Sequence, residues 1–147
     1  MKITICGSIA FIDEMQEARI KLEELGHEVK LPPSEIIDKN DKVISAKEYY
    51  ALRKENNTAE AWIWDRKAEL MKIHFNKVVW ADAILVLNNH KNNISDYVGA
   101  NTLLEMGLAF YHGKKIYLLN PIPEISYKEE ILGMKPIIIN GNFALIE

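Results

Sequence analysis

At 147 residues, with 48% hydrophobic and 27% charged side chains, the chain has the length and composition of one globular domain with its own core. A net charge of −3 without any basic run argues against nucleic acid as a principal partner, and no apolar stretch reaches transmembrane length. The lone Cys6 excludes an internal disulfide, and a strand starting at Met1 leaves no room for a leader, so a cytoplasmic protein is expected.

Lys2-Ile-Thr-Ile-Cys6 reads as a short apolar strand ending at Gly7-Ser8. Asp13 to Leu25 follows as a helix with Met15, Ala18, Ile20, Leu22 and Leu25 inward, stopped by Gly26. A second strand, His27 to Leu31, closes at Pro32-Pro33. The Gly-Ser loop lacks the G-x-G-x-x-G spacing, which argues against a dinucleotide site.

Residues 34–60 are polar, with Tyr49, Tyr50 and Leu52 as anchors and a short helix expected over Ala46–Lys54. The segment is too long for an ordinary connection. A lid, a dimer contact and a solvated excursion all fit its position beyond the second strand. From Glu60 to about Val79 an amphipathic helix carries Trp62, Ile63, Leu70, Met71, Phe75 and Val78, with Arg66, Leu70 and His74 on a shared side. Trp62 and Trp64 read as packing residues, and His74 as either a satisfied histidine or an acid.

The third strand is Ala83–Leu87 between Asp82 and Asn88. Asp82 lies at the wrong end of it, roughly 20 Å of strand away from Asn88, and reads as a strand-entry residue. Residues 96–113 then form the crossover to the fourth strand, Ile116–Leu119. This helix is apolar on most sides yet carries Glu105, and an acid there must be hydrogen-bonded, paired or turned to a cleft. Thr102-x-x-Glu105 also fits a capping box at the helix start, a purely structural role. Gly99 upstream would let backbone approach a ligand closely. A weak helix over Ser126–Leu132 leads to a fifth strand, Pro136–Ile139.

Five strands with intervening helices predict a single-domain α/β fold, a flavodoxin-like doubly wound parallel sheet in the order 2-1-3-4-5. In that order Gly7-Ser8, Asn88, Glu105 and Asn120 converge on one crevice at the carboxyl edge. No Cys, His and carboxylate cluster is visible along the chain, so neither metal nor cofactor is expected.

With these residues in place the chain resembles the nucleoside 2-deoxyribosyltransferase superfamily, which includes the 2′-deoxynucleoside 5′-phosphate N-hydrolases. Cys6-Gly-Ser-Ile9 is similar to the opening sugar/phosphate loop, Ala81 to Asn88 to the third strand, and Gly99 to Ala109 to the nucleophile helix. The resemblance places Glu105 on the family's catalytic glutamate, and implies a homodimer whose neighbour completes each site, through the Asn120–Ser126 segment. The chain departs from the family pattern with His74 where an aspartate is common, Gly99 where an acid or hydroxyl is common, and Ala10-Phe11-Ile12 where phosphate-binding relatives carry Arg and glycines.

The implied reaction is cleavage of the N-glycosidic bond of a nucleoside or nucleotide, by 2′-deoxyribosyl transfer or hydrolysis. Glu105 would be the nucleophile, held ionised by N–H groups at its helix start, and His74, as imidazolium, the general acid. Gly7, Ser8, Ile9, Asn88, Asp96, Gly99, Thr102 and Asn120 are the candidate substrate-binding residues. The apolar turn after Ile9 predicts an uncharged nucleoside over its 5′-monophosphate, with Arg66 and the insert's lysines as the only substitute cations. A nucleotide phosphoribohydrolase-type glycosidase and a non-catalytic nucleotide-sensing module are the alternatives. A Cys6 nucleophile is disfavoured, because a Cys at a strand end is usually a small buried hydrophobe.

Overall fold

The computed structural model describes residues 1–55 and 60–147; residues 56–59, the end of the 34–60 insert, lie outside the described residues. β1 (Lys2–Gly7) runs through a 3-10 turn at Ile9–Phe11 into α1 (Ile12–Glu24) and β2 (Glu28–Lys30). The insert holds β3 (Glu35–Ile37), β4 (Val43–Ser45) and α2 (Ala46–Glu55). There follow α3 (Ala61–Trp80), β5 (Ala83–Leu87), α4 (Ala100–Tyr111), β6 (Lys115–Leu118), α5 (Lys128–Gly133) and β7 (Ile137–Ile138).

The main sheet has five parallel strands in the order β2-β1-β5-β6-β7, the doubly wound order expected from the sequence. Alternation along the strands divides the core. Ile3, Ile5, Leu85 and Leu87 face α1, while Cys6, Ile84, Val86 and Leu118 pack beneath α3 and α4 with Val78 and Met106. From β1 the chain winds to β2 on one side, and from β5 to β6 on the other. The switch point therefore falls between the carboxyl ends of β1 and β5, where open α/β sheets leave a crevice. Among the described residues no helix is long and apolar enough to cross a membrane.

The insert is more ordered than its polar composition suggests. β3 and β4 form an antiparallel hairpin turned by Asp38, whose Oδ1 accepts from the Asn40 and Lys42 amides, with Asp41 left-handed (φ 58°). Ile36, Ile44, Ala46 and Tyr49 bury a small core of their own against Ile63 of α3. The Tyr49 hydroxyl donates to the Ile63 carbonyl (2.5 Å), fixing α2 over the crevice.

One local expectation is overturned. α4 begins at Ala100, with Gly99 as an extended N-cap (φ −81°, ψ 168°) that has no side-chain bond, so Thr102 lies inside the helix and no capping box forms. Glu105 sits in the second turn, away from the free N–H groups of the helix start.

Candidate active site

At the switch point a cavity of about 300 Å³ opens between the ends of β1 and β5, roofed by α2 and walled by α3 and α4. Of the candidate site residues named from the sequence, Gly7, Ser8, Ile9, His74, Gly99, Thr102 and Glu105 line it. The sheet itself requires a glycine at position 7. A Cβ there would stand 2.9 Å from the Leu87 carbonyl oxygen, on backbone at φ +153°. Gly99 likewise makes room for the Tyr97 ring, which a Cβ would meet at 3.2 Å.

Asn88, Asn120 and Asp96 are corrections. Asn88 is fully buried; its Nδ2 donates to the carbonyls of Asn120 (3.1 Å) and Pro121 (2.8 Å), and its Oδ1 accepts from the Asn120 amide (2.9 Å). Asn120 returns a bond from its own Nδ2 to the Asn88 carbonyl (3.1 Å). The pair clamps the end of β5 to the end of β6, and neither side chain lines the cleft. Asp96 is also outside the cleft, a left-handed loop residue (φ 59°). Asn88→Ala is expected to cost about 2–3 kcal/mol, because three hydrogen bonds of a fully buried side chain are lost. A denaturant titration should show that loss while KM is unchanged; a raised KM with full stability would return Asn88 to the substrate.

The floor of the cleft is Glu105, 3% exposed. Asn101, one turn earlier, donates from Nδ2 to its Oε1 (2.7 Å), which turns Oε2 towards His74 Nε2 at 3.8 Å. His74 is 5% exposed, on the face of α3 that also presents Lys67 and Met71 to the cleft. Behind them Cys6 Sγ lies 3.6 Å from the same Nε2. Burial pushes the Glu105 carboxyl up to about 8, against the pull of Cys6, Lys67 and Asn101. Burial, with the nearby Lys77 charge, takes His74 down to about 4. This reverses the protonation expected from sequence. Near neutral pH the proton rests on the acid and the imidazole is neutral, because both groups avoid charge where water cannot reach them.

The upper cleft is cationic. Arg53, Lys54, Lys67 and Lys91 line it, and Glu105 is its one carboxylate among the described residues. Lys91 reaches in from a tight turn, Lys91↔Ile94, built on left-handed Asn92 and Asn93 (φ 52° and 59°). Its Nζ donates to Ser8 Oγ (2.6 Å) and the Tyr50 hydroxyl (3.0 Å), tying the β1 loop to the roof. Arg53 lies over the Tyr49 and Tyr50 rings. Lys67 donates to Asn101 Oδ1 (3.4 Å), and burial, with repulsion from Arg53, lowers it to about 8 despite Glu105. Arg66, the substitute cation suggested by helical position, instead pairs with Glu69 (2.6 Å) and is not in the lining.

Sequence reasoning missed Lys91, Arg53, Lys67, Asn101 and Tyr50. The Asn92-Asn93 pair was a readable signal for the turn that delivers Lys91. Trp62 packs against Tyr49 (6.2 Å between rings), as expected of it, and Asp82 accepts from the Lys2 amide (2.7 Å) at the far edge of the sheet.

No family model matches the chain, and no curated protein matches it. Solved structures similar to it include two enzymes. One is a 2-deoxyribosyltransferase from the psychrotolerant bacterium Bacillus psychrosaccharolyticus, 17% identical, covering 80% of this chain and 71% of that one, with a TM-score of 0.48. The other is Clostridium botulinum CMP N-glycosidase, BcmB, 18% identical, covering 94% and 85%, with a TM-score of 0.49. At these values neither likeness bears on the chemistry of the cleft.

Proposed function

We propose that the chain cleaves the N-glycosidic bond of a nucleotide, with Glu105 as nucleophile. The observation that carries this reading is one buried carboxylate at the floor of a cleft whose mouth holds four cations and no other carboxylate among the described residues. The resemblance of the Gly99 to Ala109 stretch to a nucleophile helix suggests the bond; the cleft supplies the groups that the bond requires.

In this mechanism Glu105 Oε2 attacks C1′ of the sugar. The new C–O ester bond forms as the C1′–N bond breaks and its electron pair leaves with the base. The carboxyl must first give up its proton, and His74 Nε2 at 3.8 Å is the neighbouring base. With the acid at about 8 and the imidazole at about 4, the transfer costs about 5 kcal/mol, which the cationic cleft and bound substrate must offset. The imidazolium so formed can return that proton to the departing base, so His74 acts as a relay rather than a standing acid. Water or a second base then opens the ester. Asn101 holds the carboxylate's other oxygen throughout.

The cations reverse the expected preference for an uncharged nucleoside. The loop after Ile9 does lack a cation of its own, but Lys91 and Arg53 arrive from distant segments and face the same space. A 5′-monophosphate would meet charge-assisted donors that a nucleoside leaves unused. Incubation with matched nucleosides and monophosphates, reading free base by chromatography, tests the whole proposal. kcat/KM is expected to favour the monophosphate by about 100-fold, near 2.7 kcal/mol, the contribution of one or two such bonds. The proton retained by Glu105 favours a second reading, a nucleotide-sensing module. Tight calorimetric binding with no base release from any substrate would select it.

A further inference from the structure

Three buried donor groups meet behind the cleft from three separate elements: Cys6 at the end of β1, His74 in the middle of α3 and Glu105 in α4. Their nearest ligand atoms all lie within 4.8 Å of one another, and none of the three residues is more than 5% exposed. Cys6 Sγ to His74 Nε2 is 3.6 Å and His74 Nε2 to Glu105 Oε2 is 3.8 Å. Bond lengths of about 2.3 Å to sulfur and about 2.0 Å to nitrogen or oxygen, at tetrahedral angles, place ligand atoms about 3.3–3.6 Å apart. The sulfur–nitrogen edge matches that spacing, and the nitrogen–oxygen edge is about 0.5 Å longer. All three edges stay within 4.8 Å, so the side chains must draw in slightly to close on one ion.

A second observation is independent of spacing. Glu105 Oε2, the oxygen facing the cluster, is buried without a hydrogen-bond partner among the described residues, whereas Oε1 is held by Asn101. A buried carboxyl oxygen without a hydrogen-bond partner is costly, and a cation that displaced the proton would satisfy it. Asn101 then serves as an outer partner that fixes the ligand's orientation.

We propose that Cys6, His74 and Glu105 bind a single borderline-soft divalent cation of the zinc class, its fourth position facing the cleft. One sulfur, one imidazole nitrogen and one carboxylate oxygen suit such an ion. Magnesium and calcium call for six or more oxygens. The charge balance also suits a buried place. The dication enters as the Cys6 thiol and the Glu105 carboxyl each release a proton, so the cluster is neutral before and after. Given the mechanism proposed above, the ion is an inhibitor, because it occupies the oxygen that would attack C1′.

Cobalt(II), added to the chelator-treated full chain, is the probe. Cys6 is the only cysteine, so a thiolate-to-metal charge-transfer band in the near ultraviolet identifies it without mutation. The expected result is that band at one equivalent, accompanied by strong tetrahedral visible bands and lost stoichiometrically on adding zinc. Glu105→Gln, which keeps the side chain's volume, is expected to weaken cobalt binding by about 100-fold or more. No near-ultraviolet band at one equivalent, or equal affinity in Glu105→Gln, overturns the site. The spectrum needs no substrate, so it is decided separately from the proposed reaction. Base release by metal-free protein without any cobalt band leaves the reaction and removes the site. A band with undiminished base release at one equivalent keeps the site and removes Glu105 as nucleophile.

Discussion

Glu105→Gln is expected to abolish base release, by about 1,000-fold or more, while the metal-free protein keeps or gains stability. Gln fills the same volume and retains an oxygen for Asn101, but its amide is a poor nucleophile and carries no proton for His74. The stability gain follows from where the acid's proton sits. Burial raises the folded carboxyl to about 8, well above its ordinary range. The folded chain therefore holds a proton that the unfolded chain has lost. That stabilising contribution is complete at pH below the ordinary carboxyl range, and is lost progressively as pH rises to about 8. Gln has nothing to ionise. Melting curves at pH 5 and 8.5 should show the variant gaining on wild type at the higher pH. Full turnover by the Gln variant would take the nucleophile role away from Glu105, and a melting temperature lowered equally at both values would make it a packing residue.

Lys91→Met is expected to have the second largest effect, and a selective one. Among the described residues Lys91 is the one cation bonded both to the β1 loop, at Ser8, and to the roof, at Tyr50. Methionine keeps the length of the chain and removes its charge. Against a 5′-monophosphate the loss in kcat/KM should be about 10- to 100-fold, one charge-assisted hydrogen bond, with a much smaller loss against the nucleoside. Equal losses on both substrates would mean that Lys91 only braces the roof. Lys67 adds a pH dependence of binding. Its charge, present below about 8, is lost above it, so calorimetric affinity for a monophosphate should fall as pH passes that value. Lys67→Met should flatten this fall.

The strands were legible because each is a short, mostly apolar run bounded by Gly, Asn or Pro, and the alternation of Ile3 and Ile5 with Cys6 already separates the two sheet faces. Glu105 was legible because a carboxylate in so apolar a helix demands a partner. The capping box was misread because Thr-x-x-Glu spacing repeats anywhere along a helix. Only the extended backbone at Gly99 marks where the first turn begins. Asn88 and Asn120 were placed correctly at the strand ends and given the wrong task. A side chain there can face the crevice or bridge neighbouring strands, and position alone does not distinguish the two.

Local spacing and periodicity by themselves gave the alternating strands and helices, and the rules for right-handed crossovers turned that alternation into a doubly wound parallel sheet with Glu105 at its carboxyl edge. The tertiary structure alone decided the protonation of the site and its charge. Cys6, His74 and Glu105 are 68 and 31 residues apart in the chain and share one buried volume only after β1, α3 and α4 have packed. Lys91 and Arg53 belong to segments that look like solvated loop and insert. They become a cationic mouth because the Tyr49 hydroxyl and the Asn92-Asn93 turn point them at the same cleft. Burial and proximity set the behaviour of an ionisable group, and both are properties of the packed chain rather than of its sequence neighbours.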